Sequence, residues 1–351
     1  MSIKVIGYAA QSATSPVAPF SFERRDPRAT DVLIDIEHCG ICHSDIHSAR
    51  NEWGWTRYPF VPGHEIVGRV AAVGKLVGRY QVGDLVGVGC LVDSCRHCDS
   101  CLAGLEQYCD NGFTGTYGGE DRIGGTPHPY TFGGYATRIT VDERFVLRMP
   151  ENLDPAAAAP LLCAGITTYS PLRHWNVGAG QKVGIIGLGG LGHMGVKFAH
   201  AMGARVVMIT TSGAKGADAR RLGADEVLLS TDREAMTAAQ NSFDFLLNTI
   251  PVGHDVDPYM LLLKRDASMV VVGAVEPLKQ VNGLHFIFRR RHMAGSLIGG
   301  LPETQEMLDF CGKHHITCDI EKIRIDAVNQ AYDRTVKGDV KYRFVIDMSS
   351  L

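Results

Sequence analysis

The alternation of apolar and polar residues predicts a strand-rich first part of the chain. Apolar residues occupy every second position from 32 to 36, as in a half-buried strand, and residues 66–73 form a second strand-like run. Residues 111–134 are rich in glycine and polar side chains and are predicted to be loop. Asp154 followed by proline and four alanines is typical of a helix start. We place a domain boundary just before it.

The middle of the chain alternates between strand and helix patterns. Strands are predicted at 183–186, 205–210, 226–229, 243–248 and 269–273, and helices at 194–202, 217–222 and 259–264. Such alternation predicts an α/β fold with a doubly wound, Rossmann-type parallel sheet. After residue 295 the pattern loosens, and a helical run at 303–313 and a strand-like run at 343–347 are expected to rejoin the first domain. The predicted domains are therefore 1–152, 153–292 and a C-terminal segment, 293–351.

Composition narrows the class of protein. The 351 residues are 45% apolar and 21% charged, with a net charge of −3, which favours a globular protein and speaks against nucleic-acid binding. No apolar run has the length needed to cross a bilayer, and the N-terminus lacks a signal-peptide pattern, so we expect a cytoplasmic protein. Ten cysteines in a reducing compartment favour metal ligands or packing residues over disulfides.

A glycine turn joins the predicted strand at 183–186 to the helix that follows. The turn reads Gly187-Leu-Gly-Gly-Leu-Gly192. In this setting Gly187 allows the tight turn, Gly189 lets the backbone approach a pyrophosphate, and Gly192 allows close packing of helix and strand. The helix start would offer free N–H groups to the phosphates. We therefore predict a dinucleotide-binding turn.

The end of the next strand bears on which nicotinamide cofactor is used. An NAD-binding unit normally has Asp or Glu there, but this chain has Thr210, Thr211, Ser212 and Lys215. Hydroxyls and a positive charge suit a 2′-phosphate, so NADP is favoured over NAD. The same residues also suit a helix start, and both interpretations can hold together.

Four closely spaced cysteines predict a structural zinc site. They are Cys95, Cys98, Cys101 and Cys109. Two-residue spacers let successive thiolates face one ion, and four protein ligands leave no open coordination position. An iron–sulfur cluster or a redox dithiol is the alternative.

A second set of candidate metal ligands is spread along the chain. Cys42, His64 and Cys163 supply two thiolates and one imidazole, which would leave one zinc position open, as catalytic zinc sites require. Taken singly, each is better explained otherwise: Cys42 and Cys163 as buried apolar residues, and His64 as a hydrogen-bonded histidine in a turn. Asp45 is a candidate for orienting a ligand. The remaining cysteines are interpreted as packing residues: Cys39, Cys90, Cys311 and Cys318.

Together these motifs resemble the zinc-dependent medium-chain alcohol dehydrogenases, in their cinnamyl alcohol dehydrogenase-like branch of NADP-dependent aldehyde reductases. The resemblance covers nearly the whole chain and implies a mostly β, GroES-like catalytic domain over about residues 1–152. It implies that Cys42, His64 and Cys163 hold the catalytic zinc, with Glu65 a nearby or alternative ligand, and that Ser44 and His47 relay protons. The implied cofactor contacts are Thr167, Gly187, Gly189, Gly190, Leu191, Gly192, Thr210, Thr211, Ser212, Lys215, Ser296 and Ile298. Gly213 departs from the family pattern, where a bulkier residue is expected.

The resemblance implies hydride transfer between NADP(H) and an aldehyde or primary alcohol, with two zinc ions per chain and a homo-oligomer, either a dimer or a tetramer. Trp53, Trp55 and Tyr58 are candidates for an apolar substrate pocket, although core or interface positions suit them equally. Three alternatives stay open. They are an NAD-dependent alcohol or polyol dehydrogenase, a zinc-free quinone reductase, and a non-enzymatic zinc- and nucleotide-binding sensor.

Overall fold

The computed structural model describes residues 2–122, 128–273 and 276–351, so positions 123–127 of the predicted loop lie outside the described residues. The chain divides into two compact units. The first comprises the residues up to Cys163 and those from Gly299 onward, and the second comprises Ala164–Ile298. Within the described ranges, no helix is both long enough and apolar enough to cross a membrane.

The N-terminal part of the first unit is built mainly of strands. These are β1 (Ser2–Ala9), β2 (Ala18–Arg25), β3 (Asp31–Gly40), β4 (Ile66–Val73), β5 (Leu85–Val88), β6 (Leu91–Asp93), β7 (Thr114–Gly115), β8 (Arg138–Asp142) and β9 (Leu147–Arg148). Three short helices accompany them: α1 (His43–Ala49), α2 (Asp99–Leu102) and α3 (Pro155–Ala158). A 3₁₀ turn, Ala159–Leu162, follows α3 and leads to Cys163.

The second unit alternates helices and strands. Its elements are α4 (Ala164–His174), β10 (Lys182–Ile186), α5 (Gly192–Ala201), β11 (Arg205–Thr210), α6 (Gly216–Arg221), β12 (Glu226–Leu229), α7 (Arg233–Ala238), β13 (Phe243–Asn248), α8 (Asp257–Met260), β14 (Leu263–Val271), α9 (Leu284–Ile287) and β15 (His292–Gly295). The six strands form one parallel sheet in the order β12-β11-β10-β13-β14-β15. This is the doubly wound order of dinucleotide-binding folds, and it confirms the predicted fold class.

The chain then returns to the first unit through α10 (Leu301–His314), β16 (Ile320–Arg324), α11 (Val328–Val336) and β17 (Arg343–Asp347). β17 pairs antiparallel with β3, which also pairs with β4 and β8, so β3 is the central strand of a seven-stranded sheet. Val32 and Ile34 on β3 are fully buried. Because α1 begins directly after this strand, the sheet core fixes where the first candidate metal ligand lies.

Two sequence expectations differ from the structure. Residues 259–264 were expected to be helical, but α8 ends at Met260 and Leu263 already begins β14, where it pairs with Phe243 of β13. A short buried apolar run satisfies either pattern, and pairing with a neighbouring strand decides between them.

The expected domain boundaries also lie earlier in the chain than the limits of the compact units. Residues 153–163 stay with the first unit, where the N–H of Cys318 donates to the carbonyl of Ala157 at 3.0 Å. A boundary at 292/293 would divide β15, which pairs along its length with β14. The units therefore divide after Cys163 and after Ile298.

A buried ion pair in the first unit predicts acid-sensitive stability. Arg25 Nε lies 2.9 Å from Asp31 Oδ2, and Asp31 is almost fully buried. Burial alone would raise the pKa of Asp31, but the hydrogen bonds and charge of Arg25 outweigh it, and the pKa lies below its ordinary value. The stabilisation is therefore present above the unfolded carboxyl pKa of about 3.9 and is lost as pH falls through the folded value.

We expect Asp31→Asn to lower the free energy of unfolding of the first unit by about 1–3 kcal/mol near neutral pH. Thermal melting of both proteins from pH 7 down to pH 2.5 measures this. The difference in melting temperature between wild type and Asp31→Asn should become smaller once Asp31 is protonated. A difference in melting temperature that stays constant over the whole pH range would contradict the ion-pair account.

Candidate active site and metal centres

The first candidate ligand lies where β3 passes into α1. Cys42 is the N-cap residue of α1, and the carboxylate of Asp45 accepts a hydrogen bond from its backbone N–H at 2.7 Å. A residue with a short acceptor side chain at the third helical position commonly closes a helix start in this way. The Cys42 side chain is thereby held in the core next to the sheet.

Asp45 also fixes the second ligand segment. Its other oxygen accepts from the N–H of Gly63 at 2.8 Å and lies 3.3 Å from His64 Nδ1. A carboxylate against one ring nitrogen orients a metal-binding imidazole and leaves the other nitrogen for the ion. Gly63 has a φ of +102°, and a side chain there would lie 2.8 Å from Cys39 Sγ, so only glycine fits this turn.

Four potential donors come together in the first unit. Ligand atoms of Cys42, His64, Glu65 and Cys163 all lie within 4.8 Å of one another, and all four residues are buried. The two sulfurs are 3.9 Å apart, well beyond a disulfide bond of about 2.05 Å. The 3₁₀ turn after α3 delivers Cys163 to this cluster, although it lies 121 positions from Cys42 in sequence.

The electrostatics of this cluster favour a cation. A hydrogen bond from the Cys163 thiol lowers the pKa of Cys42 well below its ordinary value, and the same contact raises the pKa of Cys163. The two thiols thus share a proton, as close acidic pairs do. A dication would stabilise both as thiolates, and two thiolates with one imidazole are donors that suit zinc. The residues present therefore fit a zinc ion.

Glu65 is engaged by a second buried charge. One of its oxygens accepts a hydrogen bond from the guanidinium of Arg343, on β17, and both side chains are buried. Burial raises the pKa of Glu65 to about 7 against the attraction of Arg343. The sequence did not indicate Arg343, because 278 positions separate the two residues.

Two further residues near these donors were not predicted to lie there. The ring of Tyr117 packs edge-on against that of His64, with centroids 5.2 Å apart, although Tyr117 was assigned only to a loop. Cys90 was interpreted as a packing residue, but the Cys163 thiol donates a hydrogen bond to its side chain, which helps to raise the pKa of Cys163. Cys90 therefore lies beside the donor cluster. No local sequence signal marks either residue.

The expected proton-relay residues lie on one helix. Ser44 Oγ is 3.6 Å from Cys42 Sγ, and His47, one turn further along α1, is hydrogen-bonded to Glu52. The structure thus places a hydroxyl beside the donor cluster and an imidazole next to an exposed carboxylate.

The tryptophans form an exposed aromatic surface next to His47. Trp53 is 39% exposed and Trp55 is 43% exposed, which excludes a core position for both. Their rings stack at 6.1 Å, and Trp53 lies 5.4 Å from the His47 ring. Tyr58 donates its hydroxyl to the carbonyl of Ala49 and holds the end of α1.

The four-cysteine segment folds around a single point. Its donor sulfurs lie within 4.8 Å of one another. The backbone N–H groups of Cys98 and Cys95 approach the sulfurs of Cys95 and Cys109 at 3.4 Å. Hydrogen bonds from the backbone of His97 and the side chain of Asn111 lower the pKa of Cys95 to about 5. Because the thiolate is the form that binds metal, the segment fits a closed zinc site.

We expect Cys101→Ser to reduce the zinc content from two ions per chain to one and to lower the melting temperature of the first unit, since a closed structural zinc contributes directly to folding. Cys311→Ser is the matched control. Cys311 is equally buried but belongs to neither cluster, so this variant should keep two zinc ions. Atomic absorption on purified protein measures both, and an unchanged zinc content in Cys101→Ser would contradict the assignment.

The glycine turn of the second unit shows a separate reason for three of its four glycines. Gly187 follows β10 with a φ of +92°, which other residues rarely adopt. A side chain at Gly189 would meet nothing within 4 Å, so the backbone there is open to a ligand. A Cβ at Gly192 would lie 1.8 Å from the carbonyl oxygen of Gly187. Gly190 and Leu191 complete the turn into α5.

The expected 2′-phosphate residues follow β11. Thr210 is buried, and its hydroxyl accepts from the N–H of Ser212 at 3.3 Å, whereas Thr211 is exposed. Lys215 donates its ammonium group to the carbonyl of Leu188, in the glycine turn, at 3.1 Å. A side chain at Gly213 would meet nothing within 4 Å, so the space around this position does not require glycine.

The remaining expected cofactor residues lie in the same unit. Thr167 is buried in the second turn of α4. Ser296 follows β15 and donates its N–H to the carbonyl of Val271 at 3.3 Å, and Ile298 has a φ of +36°. Because the ends of parallel strands share one edge, Ser296 lies along the same edge of the sheet as the glycine turn and Thr210.

Comparison with known proteins gives the family that the sequence motifs resemble. Residues 28–151 match the alcohol dehydrogenase GroES-like domain, and residues 190–313 match the zinc-binding dehydrogenase domain. The chain is 56% identical to aldehyde reductase YahK of Escherichia coli, over 100% of this chain and 99% of that protein.

Solved structures of similar proteins agree. A cinnamyl alcohol dehydrogenase of Sorghum bicolor superimposes with a TM-score of 0.94 and 44% identity, over 99% of this chain and 98% of that one. The cinnamyl alcohol dehydrogenase of Helicobacter pylori, in complex with NADP(H), gives a TM-score of 0.91 and 42% identity, over 99% of both chains. The chain therefore belongs to the zinc-dependent medium-chain alcohol dehydrogenases, in the branch that contains the cinnamyl alcohol dehydrogenases.

Proposed function

We propose that this protein catalyses hydride transfer between NADP(H) and an aldehyde or primary alcohol, with one catalytic and one structural zinc ion per chain. The observation that carries the proposal is the buried cluster of Cys42, His64 and Cys163. Two thiolates and an imidazole are a ligand set of catalytic zinc sites, which keep one position for substrate. The relatives named aldehyde reductase and cinnamyl alcohol dehydrogenase support the same chemistry.

The state of Glu65 supports a catalytic zinc at this cluster. Arg343 binds one oxygen of Glu65 and compensates its charge. The other oxygen of Glu65 is buried and has no hydrogen-bond partner among the described residues, so Glu65 stays an alternative ligand. We assign Cys42, His64 and Cys163 as the constant donors, which makes this site more open than the four-cysteine site. A zinc ion held there supplies Lewis-acid polarisation of a carbonyl oxygen, which stabilises the negative charge that develops on it as hydride is added.

Ser44 and His47 are proposed to move the proton that the product alcohol requires. The hydroxyl of Ser44 lies beside Cys42 and is the polar group on α1 best placed to give a proton to a substrate oxygen. His47 lies on the same face of the helix three residues later, and Glu52 holds its ring. An imidazole paired with a carboxylate is well suited to return a proton to a hydroxyl. Oxidation of the alcohol would use the same groups in reverse.

The residues after β11 support a preference for NADP(H). No carboxylate occupies positions 210–215, so nothing there would repel a 2′-phosphate. Lys215, tied by its hydrogen bond to the glycine turn, keeps a positive charge at this end of the sheet. We assign Thr210, Thr211 and Ser212 as the neutral donors to the phosphate.

We propose aromatic or medium-length aliphatic aldehydes as substrates. Trp53 and Trp55 present a stacked, exposed aromatic surface beside His47, and planar apolar groups bind well to such surfaces. The ratio of kcat/KM for cinnamaldehyde to that for propanal measures this contribution. Trp55→Ala should lower the ratio, and an unchanged ratio would remove the tryptophans from the substrate site.

We propose that the chain forms a homo-oligomer through the edge of the parallel sheet. β15 is the last strand of that sheet. Nearby, Ile287 is 74% exposed and Phe288 is 76% exposed. An unpaired strand edge with exposed large apolar residues favours contact with a second copy. Sedimentation equilibrium at micromolar concentration tests this, and a monomer would contradict it.

A reducing compartment, as the cytoplasm provides, suits the metal sites. All ten cysteines are free thiols, and nine of them are buried or belong to a cluster of metal donors. Cell fractionation tests the location, and recovery of the protein from an oxidising compartment would contradict it.

Chelation tests the proposed role of zinc most simply. Incubation with 1,10-phenanthroline should remove aldehyde reduction together with zinc, and zinc chloride should restore both, because the polarisation of the carbonyl oxygen depends on the metal. Metal-free protein that retains its full rate would contradict the proposal and favour the zinc-free quinone reductase alternative.

A further inference from the structure

A buried arginine outside the active site donates to three main-chain carbonyl groups. Arg24 lies on β2 and is 8% exposed. Its guanidinium donates to the carbonyls of Phe132 at 2.9 Å, Gly133 at 2.7 Å and Arg138 at 2.6 Å. It also lies 5.1 Å from the centre of the Phe22 ring. The planar fork of arginine therefore holds two separate segments of backbone against β2.

Burial of the Arg24 charge is unfavourable in free energy, so we asked which interactions offset it. Burial, with a smaller contribution from the charge of Arg25, lowers the pKa of Arg24 to about 9, which leaves the side chain positive at neutral pH. Buried charges are usually paired with an opposite charge, whereas the hydrogen-bond acceptors of Arg24 in the described part of the chain are neutral carbonyls. Hydrogen bonds from a charged donor are about twice as strong as neutral ones. Arg24 thus fixes residues 132 and 133 firmly.

Residues 132–135, which we call the strap, pack directly under the segment that precedes His64. The N–H groups of Gly133, Gly134 and Tyr135 donate to the carbonyls of Val61, Gly63 and Pro62 at 2.8, 2.8 and 3.0 Å, respectively. There is no space between the two segments. A side chain at Gly133 would lie 2.3 Å from the carbonyl oxygen of Pro62, and one at Gly63 would lie 2.9 Å from the nitrogen of Gly134.

Because these segments are in direct contact, a displacement of the strap must displace residues 61–63. Residues 61–63 lead directly into His64. The N–H of Gly63 donates to the carboxylate of Asp45, which also lies against His64 Nδ1 and orients that ring. The path from Arg24 to the metal donor therefore consists of hydrogen bonds and close packing throughout.

We propose that Arg24 is a positioning residue for His64, acting through the strap to set the affinity of the catalytic site for zinc. The inference rests on the zinc site of the proposed function. It assigns to Arg24 an effect on the catalytic zinc site and none on the four-cysteine site. The hydrogen bonds that join the four cysteines to one another do not involve the strap.

Zinc release tests the inference without reliance on turnover. The purified holoprotein is mixed with an excess of a metallochromic chelator such as 4-(2-pyridylazo)resorcinol, and release is followed by absorbance. Wild type should release its two zinc ions in two phases. Cys163→Ala, which lacks a ligand of the catalytic site, identifies the phase that belongs to that site.

Arg24→Met should accelerate the catalytic phase by about 10-fold or more, as loss of a group that orients a metal ligand typically does. The structural phase should not change. Arg24→Lys keeps the charge but loses the fork, so its catalytic phase should lie between those of Arg24→Met and wild type. Cobalt substituted into the catalytic site gives a second readout, because its visible spectrum reports ligand geometry and should shift in both variants.

Arg25→Met is the matched control. Arg25 is the next residue on β2 and pairs with Asp31 instead of the strap, so this variant should lower the melting temperature and leave both release phases and the cobalt spectrum unchanged. Unchanged release in Arg24→Lys and Arg24→Met, or equal acceleration of both phases, would overturn the inference and leave Arg24 a general stabiliser. If Arg24→Met does not fold, Arg24→Lys alone decides, and wild-type release in that variant overturns the inference. A wild-type protein without a catalytic phase would instead overturn the proposed function.

Discussion

Replacement of Cys163 by alanine should reduce aldehyde turnover by about 1000-fold or more while the affinity for NADPH stays within a factor of about two. The first number follows from the several kcal/mol that a metal Lewis acid contributes, at 1.4 kcal/mol for each tenfold change in rate. The second follows from the fold, because the glycine turn and the residues after β11 belong to the second compact unit, whereas Cys163 ends the first part of the other unit.

Steady-state rates with NADPH and cinnamaldehyde give the turnover, and enhancement of NADPH fluorescence gives the affinity. Cys318→Ala is the control, since Cys318 is also a buried cysteine of the first unit but is not part of either donor cluster. It should keep near wild-type turnover and two zinc ions. Equal turnover in Cys163→Ala and wild type would remove Cys163 from the catalytic site.

Replacement of Lys215 by alanine should weaken NADPH binding by about 10- to 150-fold, the range that corresponds to a hydrogen bond to a charged group of about 1.5–3 kcal/mol. NADH lacks the 2′-phosphate, so its affinity should change by less than about threefold on the same argument. The selectivity for NADPH over NADH should therefore fall by nearly the same factor as the affinity for NADPH.

Lys279→Ala is the matched control for the lost charge. Lys279 is an exposed lysine of the same unit and lies outside the segment after β11, so its loss should affect both cofactors equally and weakly. Fluorescence titration of wild type and both variants with each cofactor measures the six affinities. Parallel losses for NADPH and NADH in Lys215→Ala would refute the phosphate role and favour the NAD-dependent alternative.

Features that depend on local sequence could be predicted. The glycine turn after β10 has a separate steric requirement at Gly187, Gly189 and Gly192, and each requirement can be read from residue type and spacing. The four-cysteine segment is similar, because the ligands lie within fifteen residues of one another. The zinc-dependent class and the α/β fold are expected from these motifs, and the comparisons confirm both. The preference for NADP comes from the residues after β11 and stays a prediction.

Features that depend on contacts between distant segments could not be predicted. The ion pair of Glu65 and Arg343 joins positions 278 residues apart, and although Glu65 was expected near the zinc, no local signal marks Arg343 as its partner. The apolar run at 259–264 was wrongly predicted to be helix because only pairing with β13 decides that Leu263 begins a strand. The contact of Cys90 with Cys163 was missed for the same reason.

The alternatives to the proposed function are distinguished by the same features. A zinc-free quinone reductase would need neither cluster of metal donors, and both are present. A sensor that only binds zinc and nucleotide would have no use for a metal site with three protein donors and an adjacent hydroxyl. An NAD-dependent alcohol or polyol dehydrogenase shares the zinc sites and differs in cofactor and substrate, so only a measurement of rates separates it.

The most direct test of the account is the initial rate of NADPH oxidation, and separately of NADH oxidation, by the zinc-loaded protein with cinnamaldehyde as acceptor. We expect rapid oxidation of NADPH and little oxidation of NADH, because Lys215 and the hydroxyls after β11 suit the 2′-phosphate. Oxidation of NADH alone, or of neither cofactor, would contradict the account.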